Sequence, residues 1–488
     1  MLRALLTIGG LQLVVNLILL ARTKMLAVVL GPDAVGVMGV MDKFVAVAVQ
    51  AASLSLPFAA VRFLPALWVS DRVGCFRLFR SMAKTISAGA LVATVITLAV
   101  TLTRPILWGV EFSTRSPLLI AALLTVPAAA IAPFLQNAFA GILRHRASMA
   151  FAVAFAAAQA IAGFIGAAVH SLVVLYLCLA VLGAAVVGVT LVQLDRFLRP
   201  AGDRTSALLP PMQVWRFAAA LFGLSVLIPY ATLYLHYSVL HRFGAAEAGW
   251  MQAAMGISLA IRGIMGSAHG ALLTPHVNRG GTMAERMAWV AEFQRIWCLL
   301  AGLLIPPLLL APNVLVGLLY AGTFLPGAKI VFLFALGDVI YLLAGSYQAL
   351  VIAANQLRFH VIQNVTAQLL MIAVAWLTIP SLGMTGAAVA IVVVQALLFL
   401  STSIFLALRY GVRPGARTTA VTLYLLVALA ISGVLGASGL RWSASAVGRA
   451  VAIEAIVLLG LALFLTRQDW HRLRDLLLGA PTRAASPP

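Results

Sequence analysis

Four basic residues sit where an apolar chain can least accommodate them. Arg22 and Lys24 lie in the outer half of a first apolar segment, Arg62 near the end of a second, and Arg262 at the middle of an eighth. A fixed charge at bilayer depth costs roughly 2.5–3.5 kcal/mol on insertion scales, so it persists only against a cavity, a partner or an interface. At about 100° per residue, Gln12, Asn16 and Thr23 share one stripe, which Arg22 and Lys24 flank. Two long cations leaning over one polar seam make a site for an anion. The competing reading is snorkelling to the outer interface. Arg62, near a helix end, either faces a cavity or anchors topology. Ser258 and His269 share the helical face of Arg262. Tyr230, Tyr234, Tyr237 and His241 follow heptad spacing, giving a polar-tipped aromatic face that suits sugar rings or helix packing alike. Asp338 is the clearest intramembrane carboxylate, near Tyr341 and Gln348. It serves either proton or sodium coupling or as a buried partner for Arg262. Glu454 lies in a peripheral segment, and Asp42 with Lys43 reads as an interfacial pair.

The elements that position these residues follow from composition. Hydrophobic residues are 63% of 488 and charged residues 9%, with a mean hydropathy of +1.07. Runs of about twenty apolar residues recur throughout, the mark of an all-α polytopic membrane protein. No alternation of β-barrel type is present. Fourteen spans are expected, at about 4–30, 40–67, 86–110, 117–143, 149–169, 172–194, 216–241, 249–275, 293–318, 328–354, 361–380, 385–408, 418–440 and 446–466. The first reads as an uncleaved helix rather than a signal peptide. Of 33 Lys and Arg, 22 fall in loops on the side of the termini and six in the opposite loops. This places both ends in the cytoplasm. The net charge of +20 therefore reflects topology and anionic headgroups rather than nucleic acid. Cys75, Cys178 and Cys298 show neither disulfide nor metal spacing.

Two echoes suggest a duplication. Gly31-Pro-Asp-Ala-Val-Gly36 returns as Gly244-Ala-Ala-Glu-Ala-Gly249, and Leu143-Arg144 returns as Leu357-Arg358, at almost the same interval. A six-helix unit repeats in the same orientation, so the pseudo-twofold axis runs along the membrane normal. The expected organisation is an N-lobe (1–195), a cytoplasmic linker (196–215), a C-lobe (216–410), and two extra helices with a basic tail (411–488).

No phosphate loop, His-Glu-x-x-His or nucleophile elbow occurs, and no outer loop could hold a catalytic domain. An enzyme is not expected. The run Arg22-x-Lys24-x-x-Ala27-x-x-Leu30-Gly31-Pro32-x-x-x-Gly36, the series Leu318-Leu319-Tyr320-x-Gly322-x-Phe324-x-x-x-Ala328 and the phrase Ile379-Pro380-x-x-Gly383-x-x-Gly386-Ala387-Ala388 resemble bacterial polysaccharide flippases. These belong to the multidrug/oligosaccharidyl-lipid/polysaccharide exporter superfamily. The resemblance implies alternating-access flipping of an undecaprenyl-diphosphate-linked oligosaccharide across the inner membrane, for polysaccharide or lipopolysaccharide synthesis. It implies no cofactor beyond proton or sodium coupling, and polysaccharide polymerase and other biosynthetic proteins as partners. The related lipid II flippases carry cavity arginines on their first, second and eighth helices, the helices of Arg22, Arg62 and Arg262. A lipid II flippase, a multidrug-type cation extruder on the same fold, and a transport-inactive assembly protein stand as alternatives. Cationic substrates want cleft carboxylates, and the first lobe has none at mid-span, which favours an anion.

Overall fold

The computed structural model describes residues 2–103, 116–142, 144–200, 209–268, 281–437 and 444–466, with 273, 277, 469 and 470. Among them the chain is helical and has no strand. Among the described residues eleven helices are long and apolar enough to cross a membrane, and Leu56–Ser70 and Ala450–Leu463 are shorter apolar helices. Within the described residues, all fourteen expected spans fall on helices. The helices are α1 (Leu2–Ser53), α2 (Leu56–Ser70), α3 (Arg72–Thr103), α4 (Ser116–Leu123), α5 (Val126–Gly141), α6 (His145–Ala168), α7 (Leu172–Leu198), α8 (Met212–Phe243) and α9 (Ala245–Ala268). Then come α10 (Met283–Leu310), α11 (Pro312–Leu319), a 3-10 helix (Gly322–Ile330), α12 (Val331–Ala353), α13 (Leu357–Leu382), α14 (Met384–Tyr410), α15 (Ala416–Ala437) and α16 (Ala444–Leu463).

Three expected spans are broken rather than continuous, the ninth parting at Ala311 between α10 and α11. The second is interrupted at Leu54 and Ser55, whose φ angles are 51° and 58°. Pro57 has no N–H to continue the helix. Beside the break, Ser55 O accepts from Phe58 N, and Pro57 O accepts from Asn137 Nδ2 of α5. The Ser55 hydroxyl pairs with that of Ser225 at 2.8 Å. Irregular backbone at membrane depth is tolerated where protein covers it in this way, and Ser55 is fully buried. The fourth span breaks between α4 and α5, just before Pro127, with Thr125 Oγ1 donating to Ala122 O at 2.6 Å.

The duplication is visible in the backbone. Gly31 (φ 75°, ψ −179°) and Gly244 (φ 92°, ψ 174°) adopt the same left-handed corner at equivalent places in the two repeats. His170 and Gly383, separated by the same interval, share a positive φ of 52° and 56°. The helix ends at Ile142 and Ala354 repeat the same pair of cap hydrogen bonds, although the Leu-Arg echo itself would match Ile142 to a slightly later residue. The two glycine-bounded corners touch each other reciprocally. A Cβ on Gly36 would overlap Ala245 O, and one on Gly249 would overlap Pro32 O. Each contact is the other shifted by one repeat.

By packing, the chain forms two units. One comprises Gly10–Gln252 with Leu319–Thr323; the other comprises Met1–Gly9, Ala253–Leu318 and Phe324–Pro488. The division falls inside α9, so α8 packs with the helices that precede it. The lobes read from the sequence follow the repeat, whereas these units follow contact. In the first unit α6 pairs with α7 and α2 with α5; in the second, α14 packs on α12 and α13, and α15 on α10.

The reciprocal contact makes a direct forecast. Gly36→Ala and Gly249→Ala should each lower the melting temperature and detergent-extracted yield, because backbone rather than a flexible side chain blocks the new methyl. Gly317→Ala, on α11 with nothing within 4 Å, should be neutral or slightly stabilising. Equal melting of all three variants would refute the close approach.

Candidate functional site

In the second unit, α9 and α12 bring together three of the residues picked out from sequence. Ser258 and Arg262 lie one turn apart on α9 and face Asp338 on α12. Arg262 Nη1 is 3.0 Å from Asp338 Oδ1, and Ser258 Oγ donates to Asp338 Oδ2 at 2.5 Å. The guanidinium also lies over the Tyr341 ring, 5.1 Å from its centroid. The carboxylate is the covered member, its side chain 12% exposed against 38% for Arg262. Both oxygens of Asp338 are thus occupied, as a carboxylate at this depth requires. The arginine keeps one side open, with most of its five N–H donors outside the pair. His269, expected on the same face, lies outside the described residues.

The remaining candidates lie in the first unit, on α1, α2 and α8. Arg22 is half-buried, its stem laid against Gly163, where a Cβ would come within 2.6 Å of Arg22 Cγ. Its Nε is buried without a hydrogen-bond partner among the described residues. Thr23 donates its hydroxyl proton to Leu19 O, 2.8 Å away, which leaves it no donor for an anion. Lys24 is exposed, and so is Arg62. The Arg62 guanidinium sits over Phe217 at 4.7 Å and Phe63 at 5.9 Å, an aromatic seat rather than a carboxylate. On α8 the buried stripe runs through Ala231, Leu235, His236 and Val239. Tyr230, Tyr234 and Tyr237 are half-buried beside it, and Tyr237 stacks on His241 at 5.6 Å.

Sequence reasoning missed three polar positions. Asp42, taken as interfacial, accepts the hydroxyl of the buried Tyr176 at 2.7 Å. His236 is fully buried, with Nδ1 2.9 Å from Thr232 O and Nε2 2.7 Å from Gln252 Oε1. Oxygens on both sides satisfy an imidazolium; the neutral ring needs the Gln252 amide turned to donate. A histidine within a span is a signal in itself, overshadowed here by the tyrosines next to it. The third is Asp469. Arg295 of α10 grips it with Nε at 2.8 Å and Nη2 at 2.9 Å, while Arg295 Nη1 reaches Thr418 Oγ1 at 3.1 Å. Thr466 and Asp469 form a reciprocal cap, Thr466 N to Oδ2 at 2.7 Å and Asp469 N to Thr466 Oγ1 at 3.1 Å. The Thr-x-x-Asp spacing is a legible cap signature.

No protein-family model matches the chain, and no curated protein matches it in sequence. Solved structures do match it in fold. A structure described as lipid II flippase MurJ in an inward closed conformation superposes with a TM-score of 0.69 at 12% identity, covering 97% of this chain and 100% of its own. An inward-facing multidrug resistance MATE family transporter of the MOP superfamily gives 0.57 at 14% identity, covering 86% of this chain and 99% of its own. A MOP superfamily transporter from Pyrococcus furiosus, described as having a binding pocket of reverse polarity, gives 0.55 at 14%, with 86% and 95% covered. At these identities the likeness is one of fold.

The Asp469 contacts make stability depend on pH. Burial by itself would raise its carboxyl, but the hydrogen bonds from Arg295 and Thr466 outweigh this and hold it below the ordinary value. Its stabilisation is present above the unfolded carboxyl's value of about 4 and is lost as pH falls through the lower folded value. Melting in detergent should therefore drop as the pH falls below about 4. Asp469→Asn, which leaves Arg295 without its charge partner, should destabilise at pH 7 by roughly 3–5 kcal/mol and show a smaller acid loss. An unchanged acid loss in Asp469→Asn would assign the effect to other carboxylates.

Proposed function

We propose that this chain is a multi-pass transporter that flips a diphosphate-bearing lipid-linked oligosaccharide from the inner to the outer leaflet of a bacterial cytoplasmic membrane by alternating access. The observation that carries the reading is the sign of the charge left accessible. Asp338 is covered and held by Arg262 and Ser258, whereas the Arg262 side chain stays 38% exposed and offers positive charge. A cation extruder would want the opposite. The fold likeness to a lipid II flippase supports a lipid-linked diphosphate, and the sequence phrases of polysaccharide flippases favour an oligosaccharide on it.

The Arg262–Asp338 pair supplies a mechanism for grip and release. While Asp338 is ionised it competes with the diphosphate for the guanidinium; once protonated, it frees Arg262 to grip phosphate oxygens bidentately. A proton gradient then biases capture and discharge, and sodium beside the carboxylate would act likewise. Within the first unit by itself, Arg22, Lys24 and Arg62 are the residues we propose for anion contact, and Tyr230, Tyr234 and Tyr237 those for stacking on sugar rings. Both termini and the 196–215 linker lie in the cytoplasm on this reading, with biosynthetic enzymes such as a polymerase as partners.

Two measurements test the assignment. Arg262→Ala should abolish complementation of a flippase-deficient strain at near-normal protein level, with Arg262→Lys restoring it in part because a point charge replaces a fork. Asp338→Asn should retain binding of the lipid-linked saccharide yet lose turnover and gradient dependence in proteoliposomes. Full activity of Arg262→Ala would exclude the cationic grip, and unchanged gradient dependence in Asp338→Asn would remove the carboxylate from coupling. For topology, cysteines replacing Arg204 or Arg483 in a cysteine-free background should resist impermeant thiol reagents in intact cells, while one at Glu247 should react. Labelling at Arg204 would reverse the orientation.

A further inference from the structure

Away from these residues, the first unit has an open crevice of about 580 Å³ along the α6–α7 pair. Its floor is built from small side chains at helical spacing, Ala147, Ala150 and Ala154 of α6 facing Ala185 and Val189 of α7. Ala150, Ala154, Ala185 and Val189 are all exposed. Among the described residues, nothing fills the space those alanines leave. From Ala185 to Phe197 the α7 wall runs about 18 Å, comparable with one leaflet of a hydrocarbon core roughly 30 Å thick.

One end is chemically unlike the rest. Arg144, the residue before α6, places its guanidinium 3.7 Å from the Phe197 ring centroid. Phe197 packs on Trp68 at 5.7 Å, and Arg72 covers Trp68 from beyond at 4.8 Å. Alternating arginine and large aromatic rings mark the headgroup level of a membrane protein. The acid at this end, Asp195, is already engaged by Arg80 at 3.1 Å and Arg199 at 2.6 Å. Arg144 stacks on a ring and has no carboxylate partner among the described residues, and Arg146 lies exposed beside it. Gln193 lines the crevice on the same wall, farther in than Phe197.

We propose that this crevice binds one phospholipid with an anionic headgroup, its phosphate on Arg144 and one acyl chain along the alanine floor. The apolar wall offers shape rather than selectivity, since a chain leaving bilayer for groove exchanges one hydrocarbon surface for another. Selection among lipids therefore falls to the charged end, where the unneutralised arginines favour a net-negative headgroup over a zwitterionic one. The site is built from α6 and α7 and shares no residue with the Arg262–Asp338 pair, so its occupancy does not depend on which substrate is carried.

The experiment is native mass spectrometry of the full-length chain in detergent, titrated with dioleoyl phosphatidylglycerol or dioleoyl phosphatidylcholine. One tightly held lipid should appear, with phosphatidylglycerol favoured roughly fivefold. Arg144→Gln should bring the two lipids to parity. Ala150→Leu with Ala154→Leu, which fills the floor and keeps every charge, should remove the bound lipid while helical circular dichroism stays unchanged. Equal binding of the two lipids, a preference that survives Arg144→Gln, or a dimeric mass in place of a lipid adduct would each overturn the proposal.

Discussion

Two carbonyl oxygens occupy the space where two glycines would otherwise carry a methyl. Pro32 O lies against Gly249 and Ala245 O against Gly36, a pair of contacts related by the repeat itself. Both corners turn on a glycine with positive φ, Gly31 and Gly244, a conformation costly for any residue with a Cβ. The approach fixes how the end of the first helix of each repeat meets its counterpart. Much of the first unit is referenced to it: α8, which begins the second repeat, is held among the helices of the first.

Hydrocarbon imposes a second demand, that polar groups find partners within the protein. The chain meets it by pairing rather than by avoiding polar residues. Asp338 takes both Arg262 and Ser258, Asp42 takes Tyr176, and Gln294 Nε2 reaches Thr422 at 2.8 Å. Such pairs are sensitive to protonation and to competing anions, because desolvation leaves each partner strongly dependent on the other.

The breaks at Leu54–Ser55 and before Val126 show where the local rule gave way. Apolar length predicts a continuous span, yet Pro57 and Pro127 each remove a donor; beside the breaks the Ser55 hydroxyl pairs with that of Ser225 and the Thr125 hydroxyl donates to Ala122 O. The prolines were in view from the start. At the first break the partners are Ser225 and Asn137, residues from elsewhere in the chain that no local pattern connects to Ser55 and Pro57.

Hydropathy, span length and the spacing of like corners are properties of short windows, and these the chain alone determined. They made it all-helical, gave fourteen spans on observed helices, and set a duplication whose glycines adopt matching angles one repeat apart. The embedded charges were equally plain, since any Arg or Asp in such a background is conspicuous. Tertiary structure alone chose among partners. It gave Asp338 to Arg262 and Ser258, seated Arg62 on Phe217, left Arg22 Nε without an acceptor among the described residues, and turned α8 so that His236 rather than the tyrosines is fully enclosed. It also joined Arg295 to Asp469, 174 residues away. Pairing across such separations depends on which helix faces pack together, and that is a property of the assembled chain rather than of any window within it.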